Sequence, residues 1–266
     1  MIIIKAMKEL DKLQDLMIKA GNAARENQKG IKSDYKSDGS PVTQSDLMIT
    51  RLVLDYLGTS FSDCNIVSEE EDHNTMHKDA EYTFVLDPLD GTDVYSQGLP
   101  SWTLALGILD RNLRPCGAMI YAPRFGVGEE SLLMRSDPDW DEVLINGKRL
   151  VVEPKHDMRQ LTIGSHCFRL LDLSAYHGKM RIFGSAILQL VCPLIFFRIA
   201  GAIDDSVYPW DMCASWALLE KCGYHIYNKD KTLFSFTPES LFGRRKLGTI
   251  IACHPDQLAS ISSLIL

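Results

Sequence analysis

The 266 residues carry 28 Lys and Arg against 35 Asp and Glu, a formal charge of −7. That balance argues against a nucleic-acid surface, and the length suits one large domain or two fused subdomains with a sizeable core. A hydrophobic content of 45% is ordinary for a globular protein.

Met7, Leu10, Leu13, Leu16, Met17, Ala20 and Ala24 recur at helical spacing and predict an amphipathic helix over 5–28. The leading Met1-Ile2-Ile3-Ile4 meets Lys5, Lys8 and Glu9 too soon for a signal peptide. A loop rich in Gly, Ser and Pro, containing Ser37, Asp38 and Gly39, then leads to a second helix at 46–57, with Ser45 or Asp46 as its cap. Strands are expected at 82–86, 102–109 and 116–121, the last two as a hairpin turning at 110–112. Asn146-Gly147 signals another turn, between Val143-Leu144-Ile145 and Leu150-Val151-Val152. Beyond residue 153, strands at 161–164, 181–183, 224–227 and 249–252 alternate with helices at 185–199, 211–221 and 255–265. Strands covered by helices imply a layered α/β protein.

The apolar run 182–203 contains Gln189, Pro193 and Arg198, which favours a buried core helix over a membrane span. Seven cysteines form no Cys-x-x-Cys pair, as expected of free thiols in a reducing, cytoplasmic setting. His73 and His77 stand in a polar, acidic stretch and read as solvated residues, because a zinc site would recruit further His or Cys nearby.

The most informative segment is Leu86-Asp87-Pro88-Leu89-Asp90-Gly91-Thr92-Asp93. It follows an apolar strand and sets two carboxylates three residues apart around a rigid proline. Carboxylates this close repel unless a cation shares their site, and hard oxygen ligands on a stiff turn suit Mg²⁺. Gly91 and Thr92 would open a helix, whose free N–H groups favour a phosphate. Further acidic motifs flank this one: Asp46, the run Ile66-Val67-Ser68-Glu69-Glu70-Glu71, and Pro209-Trp210-Asp211-Met212-Cys213-Ala214. Together they have the layout of a metal-dependent phosphate-ester hydrolase, with no Ser, Cys or His constellation for a covalent nucleophile.

Over residues 36–223 these motifs resemble the inositol monophosphatase superfamily of Mg²⁺-dependent, lithium-sensitive phosphatases. Its Asp-Pro-Ile/Leu-Asp-Gly-Thr motif is matched at 87–92 and its Trp-Asp-x-Ala motif at 210–214, with Cys213 inserted before or in place of the usual alanine. The resemblance implies a five-layer αβαβα sandwich in a single domain, with subdomains of about 1–153 and 154–266. It further implies two or three Mg²⁺ ions. Glu69, Asp87 and the Leu89 carbonyl would hold the first, and Asp87, Asp90 and Asp211 the second. A weaker third would rely on Glu69 and water. Thr92 with Asp46 would position and deprotonate the attacking water, and Glu70 would stand behind the ligands. Asp90, Gly91, Thr92 and the helix start Gly184-Ser185-Ala186 would contact substrate. A homodimer is expected on the same ground, and neither a membrane nor a nucleic acid is an expected partner.

The segment Ser96-Gln97-Gly98-Leu99-Pro100 resembles the inositol branch, which points to an inositol monophosphate or a related polyol or sugar phosphate. The alternatives are a 3′(2′),5′-bisphosphate nucleotidase, a fructose-1,6-bisphosphatase, or a regulatory binding protein on the same fold. Asp93 would add negative charge beside the metals and disfavour a bisphosphate. The family's substrate-binding Glu is missing from 201–210, where Asp204 or Asp205 would have to substitute.

Overall fold

The computed structural model describes residues 2–37, 39–61, 63–71, 76–126, 129–153 and 160–266. Asp38, His73 and the 154–159 side of the expected subdomain boundary lie outside them.

The chain begins with α1 (Ile2–Asn27), a small hairpin of β1 (Asp34–Tyr35) and β2 (Pro41–Val42), and α2 (Gln44–Ser60). Then come β3 (Cys64–Ser68), β4 (Tyr82–Asp90), the short α3 (Thr92–Ser96), β5 (Thr103–Leu109) and β6 (Pro115–Ala122). The first sheet is completed by β7 (Leu132–Ser136), β8 (Leu144–Ile145) and β9 (Lys148–Arg149). Among the described residues it has seven strands in the order β3 to β9, with β3 parallel to β4 and every other pair antiparallel.

The second half supplies β10 (Gln160–Ile163), β11 (Lys179–Arg181), α4 (Ala186–Ile195), β12 (Ile199–Asp204) and α5 (Trp210–Lys221). It ends with β13 (His225–Asn228), α6 (Pro238–Phe242), β14 (Ile250–Cys253) and α7 (Leu258–Ser262). Its five described strands run β11-β10-β12-β14-β13.

The period-2 alternation of strands sorts the core into layers. On β4 and β5, Phe84, Leu86, Leu104, Leu106 and Ile108 face Leu13, Met17, Ile49 and Val53 of α1 and α2. Val85 and Ala105 point the other way, into a cluster with α4 and α5 that continues to Ala202, Ile226, Ile250 and Ala252 of the second sheet. The outer face of that sheet packs Ile163, Ile203 and Ile251 against Ile261 of α7. The result is the expected αβαβα sandwich, with α4 and α5 in the central layer.

Several boundaries differ from the sequence reading for identifiable reasons. The α2 cap is Thr43, whose side chain accepts the Ser45 N–H, while Asp46 accepts the Thr43 N–H at 2.9 Å. The expected helix 185–199 stops at Ile195, two residues past Pro193, and Ile199 already belongs to a strand. The helix expected at 255–265 is a 3₁₀ turn followed by five residues of α7, because Ile265 leaves to bridge Leu171. Strand β11 ends at Arg181, since Ile182 and Phe183 lead away to α4. Asn146 and Gly147 both have positive φ, and this two-residue turn pairs Ile145 with Lys148, so Lys148–Arg149 form the return strand in place of 150–152.

All seven cysteines carry free thiols. No described helix is long and apolar enough to cross a membrane.

Candidate active site

Strand β4 extends through the acidic motif to Asp90. Asp87 pairs with Ala105 and Asp90 with Thr103, so three steps on β4 match two on β5, a β-bulge that contains Pro88. The missing proline N–H is tolerated there, and the bulge re-aims the carboxylates that follow. Gly91 then turns the chain at φ 88°, the left-handed region that glycine enters without steric penalty, and α3 starts at Thr92.

Asp211 reaches the same place from the central layer. It lies in the first turn of α5, where the Tyr208 N–H donates to its Oδ2 at 2.6 Å. A close approach of α5 to the sheet brings it there. A Cβ on Gly107 of β5 would collide with Cys213 Sγ and lie 2.8 Å from the Ala214 nitrogen.

Asp87, Asp90 and Asp211 thus offer carboxylate oxygens all within 4.8 Å of one another. Burial raises all three carboxyls, and like charge adds to the shift at Asp87 and Asp211. Asp87 is held well above the ordinary range by burial, then by the charges of Glu69, Asp90 and Asp211. Its Oδ1 accepts the Leu89 N–H at 3.0 Å, whereas its buried Oδ2 has no hydrogen-bond partner among the described residues. An orphaned carboxylate oxygen among like charges is the donor set that a hard divalent cation satisfies. The residues therefore fit a hard divalent cation.

Asp90 is engaged differently. Its carboxylate accepts hydrogen bonds from Ser185 Oγ, the Ile187 N–H at 2.8 Å and the Ala186 N–H at 3.2 Å, at the N-terminus of α4. Those bonds oppose burial, and the carboxyl is pushed up only to about 6. Gly184 (φ 82°) lets the chain pass Val94 of α3, which a Cβ would strike.

Glu69 follows β3. It lies near enough for its charge to raise Asp87 and Asp211, and burial takes its own carboxyl to about 7. Its Oε1 pairs with Lys36 Nζ at 2.8 Å, and the same ammonium holds Glu70 Oε1 at 2.6 Å. Burial would lower the lysine, but the two glutamates outweigh it and raise it above the ordinary range.

Thr92 Oγ1 lies 3.0 Å from both Asp46 Oδ1 and the Leu89 carbonyl, so its one proton has two acceptors. Asp46 is fully buried and burial raises its carboxyl. Its other oxygen is clamped by the Thr43 N–H and hydroxyl.

Asp204, at the end of β12, is buried and accepts from Gln189 Nε2 at 3.1 Å and the Asp205 N–H at 2.9 Å. Burial, supplemented by the charge of Asp90, pushes it up to about 7. Asp205 instead pairs with Thr249 and Ser206. The Asp93 carboxylate accepts from Gln97 Nε2 at 3.0 Å on the exposed side of α3. His77 is exposed. The sequence reading missed Thr43 and Lys36. Thr43 was legible as a capping-box residue three positions before Asp46, whereas Lys36 carried no local signal.

A family model described as the inositol monophosphatase family matches residues 6–253. The chain belongs to that family. Its members are metal-dependent phosphatases of small phosphorylated substrates. Similar proteins include a putative Nus factor SuhB of Neisseria meningitidis, 24% identical over 98% of this chain and 96% of its own. The 3′(2′),5′-bisphosphate nucleotidase CysQ of Escherichia coli K12 is 23% identical over 88% of this chain and 96% of its own. The structure of an IMPase from Thermotoga maritima superposes with a TM-score of 0.77 at 18% identity, covering 96% of each chain, a likeness of fold.

Proposed function

We propose that this family member is a Mg²⁺-dependent phosphatase of a small phosphate monoester, an inositol monophosphate or a related polyol or sugar phosphate. The observation that carries the reading is the trio Asp87, Asp90 and Asp211, converging within 4.8 Å around an orphaned Asp87 oxygen.

In this reading Asp87, Asp90, Asp211, Glu69 and the Leu89 carbonyl hold two or three Mg²⁺ ions. When bound, such ions acidify water and neutralise charge on the phosphoryl and leaving oxygens. Thr92 donates its proton toward Asp46 and so turns a lone pair to the incoming water, orienting it and accepting its hydrogen. Asp46, held by Thr43 and raised by burial, takes the proton in turn. Residues 1–153 supply most of the ligands, and 154–266 supply Asp211 and the substrate side. There Ser185, Ala186 and Gly184 border Asp90, and Asp204 is the acceptor for a substrate hydroxyl in place of the family's Glu.

A phosphate-release panel tests this. It compares inositol-1-phosphate, glycerol-2-phosphate, histidinol phosphate, fructose-1,6-bisphosphate and 3′-phosphoadenosine-5′-phosphate with Mg²⁺, with and without Li⁺. The expected result is Li⁺-sensitive release, fastest from a monophosphate. Preference for the bisphosphate nucleotide would move the chain to the nucleotidase branch, and no release from any substrate would contradict catalysis.

A further inference from the structure

We infer that Arg244 is a positioning residue for the carboxylate site, locking the turn that carries Glu69 to the helix start that carries Asp211. The inference rests on the metal-phosphatase reading above.

Arg244 follows α6 with φ 52°, in the left-handed region where a side chain meets steric strain and glycine does not. The neighbouring Gly243 has φ −77°, so the chain places its glycine one residue before the position that would use it. Ending the helix gives no reason for an arginine there, whereas its contacts do.

Arg244 Nη2 donates to the Glu69 carbonyl at 2.5 Å. The same guanidinium lies over the Trp210 ring, 5.0 Å from its centroid. Trp210 stacks on Tyr208 at 4.7 Å and 10°, and the Tyr208 N–H holds Asp211 Oδ2. The Leu247 N–H donates to the Val207 carbonyl at 2.8 Å and docks the rest of the segment alongside.

One cation therefore touches both segments, bonding through Nη2 to the first and lying over an aromatic ring of the second. A lysine ammonium has no such combination of in-plane donors and a flat face. The bond goes to the backbone of Glu69 and leaves its carboxylate free of Arg244, so Arg244 fixes the ligand without competing for its oxygens.

The test uses the full chain and Mn²⁺ as the probe, with free Mn²⁺ counted by electron paramagnetic resonance in the absence of substrate. Arg244→Gln should weaken Mn²⁺ binding roughly tenfold or more, the loss typical of removing a group that orients a metal ligand. Arg244→Lys should recover little of it. Arg244→Gly relieves the left-handed strain, so it should fold even if the Gln variant does not, and should bind Mn²⁺ as weakly. At saturating metal, KM for the phosphate ester should stay near wild type. A folded Gln, Lys or Gly variant with wild-type Mn²⁺ affinity would overturn the role. A wild type that binds no Mn²⁺ would instead overturn the metal reading itself, and this role with it.

Discussion

The Asp90 carboxylate accepts the Ser185 hydroxyl while standing within the acidic trio, so one side chain serves both the carboxylate cluster and the N-terminus of α4. An anion there complements the helix dipole and satisfies otherwise unpaired N–H groups. The C-terminal end of β4 and the central helical layer are thereby fastened at the point where chemistry is expected.

Asp90→Asn separates the two roles. The amide oxygen still accepts from α4, and removal of one charge relieves Asp211. Turnover should fall by roughly 10²-fold or more through loss of an anionic ligand. The thermal midpoint of the metal-free protein should stay level or rise. Near-normal activity at saturating Mg²⁺ would remove Asp90 from the site.

Thr92→Ala should leave metal binding intact while lowering kcat, because the hydroxyl is assigned to the water. Thr92→Ser should restore much of the rate. Calorimetric Mg²⁺ titration beside steady-state kinetics checks this, and a collapse of Mg²⁺ affinity with an unchanged saturated rate would reverse the assignment.

The carboxyls of Asp90 (about 6), Glu69 (about 7) and Asp204 (about 7) hold protons more tightly in the fold than in the open chain. Their contribution to stability is complete below the ordinary carboxylate pKa and disappears as pH rises through 6 to 7. The metal-free thermal midpoint should therefore fall between pH 5 and pH 8. Mg²⁺ replaces those protons, so the stabilisation it confers should grow over the same interval. Melting curves with chelator and with Mg²⁺ measure it, and a pH-independent Mg²⁺ increment would refute it.

Gly107→Ala should damage the site from a distance. The new methyl meets Cys213 Sγ and the backbone of α5, which must move and carry Asp211 with it. Overpacking of this kind costs about 1–3 kcal/mol, and misplacing a ligand by an ångström can cost about 10²-fold in rate. Denaturant unfolding and kinetics should both register the change.

The layered fold was legible because Phe84, Leu86 and Val85 alternate by face and α1 repeats Leu10, Leu13 and Met17 on one side. The core of the candidate site was legible because Asp87, Asp90 and Thr92 lie within one rigid stretch. Long-range contacts were not. Lys36 and Arg244 reach Glu69 from 33 and 175 residues away, and no local pattern encodes such partners. Boundaries failed where a turn or proline overrode periodicity, as at Asn146-Gly147 and Pro193. The surroundings of Asp204 and Asp205 were not legible either, since only the folded strand places Asp204 beside Gln189 and turns Asp205 toward Thr249.

The central claim is that buried carboxylates around Asp87 make this chain a metal-activated phosphatase. Phosphate release from inositol-1-phosphate by chelator-stripped protein, titrated with Mg²⁺, tests it most directly. The account predicts no turnover before Mg²⁺, saturable activation by it, and no activation in Asp87→Asn at the same concentrations. Equal release with and without chelator, or an Asp87→Asn variant activated like the wild type, would contradict it.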